Sequence, residues 1–193
     1  MSHRRSSSIF KAASVCALSA LLTVFGAAPV LGANTMTQAV TVGVLSASVG
    51  NLTLSSVVYS NSAQTTNGSM TLNADDSSGA AAGWHVTVQT SSFAYTGSYA
   101  GTAIPAASFA VTGVSAPILV SGQAVNATAA TGPEIPPLSP IGTLDVARSV
   151  ISATAAYGTG TYTQAIAVSL TIPAGSKIGT YTGTLTTTIS AGP

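Results

Sequence analysis

Cysteine is almost missing from this chain of 193 residues: Cys16 is the only one, and it lies within the apolar run near the N-terminus. The rest of the chain therefore has no disulfide, no thiolate nucleophile and no cysteine-held metal. Charge is as scarce, with Lys, Arg, Asp and Glu making up 5% of residues. No basic cluster exists of the kind that nucleic acid or an anionic lipid surface requires. Tryptophan occurs once, at Trp84, and beyond the N-terminal segment histidine also occurs once, at His85. Past residue 34 no stretch keeps a 3.6-residue apolar period, so helices are not expected. Disorder is excluded by the apolar content, 46% of residues, rich in Val, Ile, Leu and Ala.

The N-terminus has its own logic. Arg4, Arg5 and Lys11 precede the uncharged stretch Ala12 to Ala28, and the small residues Gly32 and Ala33 follow. That is the layout of a secretory signal peptide over residues 1–33. A retained anchor is the alternative, but the run is short for a membrane span and Pro29 and Gly32 follow it. Arg4-Arg5 is a twin-arginine pair whose following serines do not continue that export pattern. Cleavage leaves residues 34–193, an exported domain with no membrane span. It keeps Arg148 and Lys177 against Asp75, Asp76, Glu134 and Asp145, a net charge of −2. About 160 residues suffice for one domain that buries roughly two thirds of its chain surface. No apolar tail or basic cluster follows the last strand pattern, so no C-terminal anchor is expected.

What is present is alternation. Val40, Val42 and Val44 alternate with Thr41 and Gly43. Leu52 and Leu54 do so in NLTLSSVVYS, and Met70 and Leu72 in SMTLNA. Trp84, Val86 and Val88 share a face opposite His85, Thr87 and Gln89. Further runs lie at 149–157, 164–173 and 181–190. Turn chemistry separates them at Asn67-Gly68 (a hairpin signal), Asp75–Gly83, Tyr157–Gly160 and Pro173–Gly175. The stretch 97–145 is irregular, and TGPEIPPLSP (131–140) reads as an extended loop. Short strands with one apolar and one hydroxyl face predict an all-β protein, an antiparallel β-sandwich in a single domain.

Candidate chemistry is sparse. His85 lies mid-strand among Thr and Gln, which suits a solvated histidine better than a general base. Asp75 and Asp76, ahead of a Gly-rich run, suit an Asx-type turn; a calcium site lacks the spaced acids it needs. Paired carboxylates for glycoside hydrolysis would have to come from four acids, one of them Glu134 in the proline-rich loop. No cofactor, metal or catalytic residue is expected. Asn51, Asn67 and Asn126 fit the glycosylation pattern, which matters only in a host that glycosylates exported proteins.

The stretch DDSSGAAAGWHV, a Gly-rich lead-in followed by Trp84-His85-Val86, resembles the first motif of the WxL domain of bacterial surface proteins. The ending IPAGSKIGTYTGTLTTTISAGP is similar to the way that family closes. Val86 stands where the family usually has Leu, and the second motif falls on Thr187 and Ile189, Thr187 replacing a tryptophan. The resemblance spans roughly residues 35–193. It implies non-covalent attachment to the cell wall, through peptidoglycan or an associated polymer, with Trp84, Val86, Thr187 and Ile189 as the motif positions. Read from the residues alone, Trp84 is a core anchor between sheets or an indole face for sugar rings. Two other readings stand beside a wall-binding module. One is a structural subunit that pairs with itself or other surface proteins through sheet edges, where charged gatekeepers are scarce. The other is a hydrolase of wall polysaccharide.

Overall fold

Hydroxyl and apolar side chains alternate over long stretches, and a strand sends such alternate positions to opposite faces. The computed structural model describes residues 37–125, 132–136 and 140–192. The expected leader at 1–33, the Asn126 sequon and parts of the proline-rich stretch lie outside the described residues. Val40–Pro193 forms one compact unit. Its strands are β1 (Leu45–Val49), β2 (Gln64–Asp76), β3 (Trp84–Thr90), β4 (Ala94–Thr96), β5 (Phe109–Val114) and β6 (Ile118–Gly122). Then follow β7 (Gly142–Thr143), β8 (Arg148–Ala153), β9 (Gly160–Ile172), β10 (Thr180–Thr182) and β11 (Leu185–Ala191).

Every pairing is antiparallel. The larger sheet has the order β1-β2-β9-β5-β7, with β6 also on β9. The smaller has the order β11-β3-β8, and the pair β10-β4 lies in the chain segments that adjoin it. Met70, Leu72, Tyr162, Ile166 and Val168 of the larger sheet share one buried core with Trp84, Val86, Val88, Val150 and Ile151 of the smaller. The result is a single-domain antiparallel β-sandwich, as the alternation implies.

Three details depart from the sequence reading. Asn67-Gly68 is no hairpin: both residues lie within β2, paired to Ser169 and Val168 of β9. Glycine is used there for space, since a Cβ at Gly68 would fall 2.7 Å from Leu54 Cδ2 and 3.1 Å from Leu52 Cδ1. The segment after β1 crosses β2 at this point. Second, the alternating runs at 40–44 and 51–60 form no ladder, apart from the terminal approach of Val44 to Ser77. Alternation reports which faces could be buried, and a strand also needs a neighbour's backbone. Third, the irregular region supplies β5, β6 and β7, whose bulges and short lengths obscure their period.

Candidate functional site

The two halves of the motif meet through strand pairing. In the β3–β11 register Trp84 lies opposite Ala191, Val86 opposite Ile189, and Val88 opposite Thr187. Trp84, Val86, Thr187 and Ile189 thus share one face of two adjacent strands, and that face is the inner one. Trp84 and Val86 are fully buried on the central strand of their sheet. Thr187 and Ile189 are half-buried, because β11 is the edge strand.

Around Trp84 the packing is specific. Its Nε1–H donates to the Gly158 carbonyl at 2.9 Å. Its ring stands 6.1 Å from that of Tyr162, tilted by 41°. The Tyr162 hydroxyl in turn donates to the Gln123 carbonyl at 2.6 Å, with the Thr159 carbonyl at 3.2 Å. Burial pushes the Tyr162 pKa up, and the carboxylate of Asp76 adds to this. Gly158 has φ +78°, and a Cβ there would sit 2.9 Å from the indole nitrogen. A buried indole with a satisfied N–H is a core anchor, and it presents no face to a ligand.

The opposite face of the same strands looks outward. His85 faces Ser190 and Ser152 across its two neighbours, Thr87 faces Thr188, and Gln89 faces Thr186. No Asp, Glu, Lys or Arg is among these residues, and most carry a hydroxyl. His85 Nδ1 lies 2.9 Å from the Gly192 carbonyl, and the Gly192 N–H donates to Gly83 O at 2.9 Å. His85 therefore clips the end of the chain to the start of β3.

The acids are taken up by turns. Asp76 is buried, and its Oδ1 accepts the Ser78 N–H at 3.1 Å and the Ser78 hydroxyl, the expected Asx-type turn. Asp75 accepts hydroxyls from Thr161 at 2.7 Å and Ser77 at 3.0 Å. Glu134 sits on an isolated bridge to Ser152, and Asp145 in the turn after β7. Among the described residues no three of His, Cys, Asp and Glu converge as a metal site.

A concave feature has no counterpart in the sequence reading. An open groove of about 820 Å³ runs between the segment 52–60 and residues 176–183. Phe93, Leu170 and Ile172 contribute apolar surface, Tyr59 and Tyr181 stand along it, and Lys177 is the one charged residue among the described residues that line it. Tyr181 packs on Tyr95 with centroids 5.3 Å apart, and their hydroxyls donate to the Lys177 and Ile178 carbonyls at 3.0 and 2.8 Å. These residues come from stretches far apart in the chain, so no local spacing announces them. The nearest signal in the sequence is the alternating run NLTLSSVVYS at 51–60.

No curated protein and no solved structure shows significant similarity to this chain. The profile of the WxL domain, described as a surface cell wall-binding domain, matches residues 25–193. That covers nearly all of the chain, including Trp84, Val86, Thr187 and Ile189, and on this evidence the chain belongs to the WxL domain family of surface cell wall-binding domains.

Proposed function

We propose that this protein is a secreted, non-catalytic module that holds itself non-covalently to the bacterial cell wall, through peptidoglycan or a polymer associated with it. The family match carries this reading. The site follows from the register. Trp84, Val86, Thr187 and Ile189 act from the inside, fixing the spacing of β3 and β11. The outer face of the same strands, with Thr87, Gln89, Thr186 and Thr188, meets the polymer. Uncharged hydroxyls on a flat sheet suit hydrogen bonding to sugar hydroxyl and amide groups, and such contacts can be made directly or through water. Acids engaged in turns fit a binding role better than a hydrolytic one.

The test is co-sedimentation of the exported protein with purified peptidoglycan sacculi, with and without the wall's secondary polymers. Saturable pelleting is expected. The double substitution Thr87→Ala and Thr188→Ala should reduce it at an unchanged melting temperature. If the folded protein fails to pellet with either preparation, wall attachment is wrong. If it pellets and the double variant pellets equally, the outer face is the wrong surface.

A further inference from the structure

The groove lies between two strand-like edges that lack a partner. Among the described residues, the only backbone group bonded to protein between Leu52 and Tyr59 is the Ser55 carbonyl, which accepts the Thr66 hydroxyl at 3.4 Å. Across the groove, β10 is paired on one side only, to β4. Farther along, β1 approaches β11 without pairing to it. The smaller layer is thus open on this side, over an apolar floor. Open edges of this kind take an added strand, whose backbone bonds to the edges while alternate side chains fill the floor.

The same molecule carries a segment with the complementary properties. Val40, Val42 and Val44 are 93%, 85% and 63% exposed, and they alternate with Thr41 and Gly43. Residues 40–43 lie in no strand. No charge occurs in this segment, and among the described residues the groove carries one charge, Lys177, whose long side chain can keep its ammonium group in water. The two features stand at opposite ends of the sandwich. Val44 is held at the Asp76 end of β2, through the Ser77 N–H to its carbonyl at 2.9 Å. The groove lies at the Gln64 end. β2 separates these ends by about 40 Å, whereas five extended residues reach about 17 Å. The segment cannot enter its own groove.

We propose that residues 40–43 of one copy add as a strand in the groove of a second copy, joining molecules head to tail. The contact is heterologous, joining two different surfaces, so it repeats from copy to copy into a chain or ring of subunits. This inference is independent of wall binding, since assembly is read in solution without wall material.

The experiment is sedimentation velocity of the exported protein over a wide concentration range, with two variants at exposed positions. Val42→Asp spoils the donated segment, and Val58→Asp, at a residue 83% exposed on the groove, spoils the acceptor. Thermal melts confirm that both fold. The wild-type protein is expected to form a ladder of oligomers. Each variant alone should be monomeric, and an equal mixture should regain dimers, because one supplies an intact groove and the other an intact segment. A wild-type protein that stays monomeric overturns the proposal. So does Val42→Asp that still assembles, or a mixture that stays monomeric. A groove that instead takes soluble glycan fragments, with binding lost in Val58→Asp and kept in Val42→Asp, would assign it to the wall and also overturn the proposal.

Discussion

Trp84→Phe separates a core anchor from a ligand platform. The substitution removes the donor to the Gly158 carbonyl, a bond of 2.9 Å within the core. A buried acceptor left without a partner costs about 1–3 kcal/mol. The smaller ring leaves roughly 40 Å³ unfilled, which adds about 1 kcal/mol. The sum, about 2–4 kcal/mol, is a large part of the 5–15 kcal/mol typical of a domain but less than the whole. The variant should fold and melt roughly 5–15 °C lower. Circular dichroism must follow the melt, because the variant has no tryptophan left to report by fluorescence. Pelleting with sacculi, measured well below the lowered melting temperature, should be unchanged. An unshifted melt together with lost pelleting would refute the reasoning: the indole would then contact the polymer, and its burial would not describe the working state.

Two further outcomes test the core and the groove wall. Burial, with Asp76 adding to it, holds the Tyr162 pKa above its ordinary value of 10.0, so the folded protein keeps a proton that the unfolded chain releases. Its contribution to stability is complete below about pH 10 and is lost as pH rises through the raised value. Urea melts between pH 8 and 11 should show this decline, and Tyr162→Phe should flatten the part due to this group. Gly68→Val would drive a side chain into Leu52 and Leu54, where even a Cβ is too close. Overpacking of this kind costs about 1–3 kcal/mol, and the displaced wall of the groove should weaken self-association by an amount that sedimentation velocity can read.

Alternation made the sandwich legible because it states directly which face of each strand is buried. It identified the inner faces of β2 and β3, placed Trp84 with Val86 and Val88, and marked the runs that become β9 and β11. It could not say which alternating runs find a neighbour. Residues 40–44 and 51–60 carry the same pattern as β3, yet their backbones have no partner strand. Asn67-Gly68 misled for a related reason. Glycine serves equally for a turn and for room under a crossing chain, and only the position of Leu54 separates the two. The groove was invisible because Tyr59, Phe93, Lys177 and Tyr181 converge through long-range pairing of β4 with β10 and through the crossing segment. The Asx turn at Asp76, by contrast, is local chemistry and could be read from NADDSSG alone.

The positions read from the sequence as the two motif halves also differ in strand position. Trp84 lies on β3, flanked by β11 and β8, under the full thickness of the sandwich. Thr187 lies one strand farther out, half-buried, opposite Val88 on an edge. At the centre of a sheet a lost indole leaves a void and an orphaned carbonyl. At the edge, water reaches the site and a threonine hydroxyl can remain solvated. Two substitutions compare the positions directly. Thr187→Val replaces a half-buried hydroxyl with a methyl and should change stability by no more than about 1 kcal/mol. Trp84→Thr removes most of the side chain from a closed core and leaves a hydroxyl there, at a cost of about 4 kcal/mol or more. Denaturant melts of the two variants, set beside wild type, read the asymmetry. Equal losses at both positions would mean that β11 is closed off from water by some other part of the assembly, and an added strand along that edge would then be the first place to look.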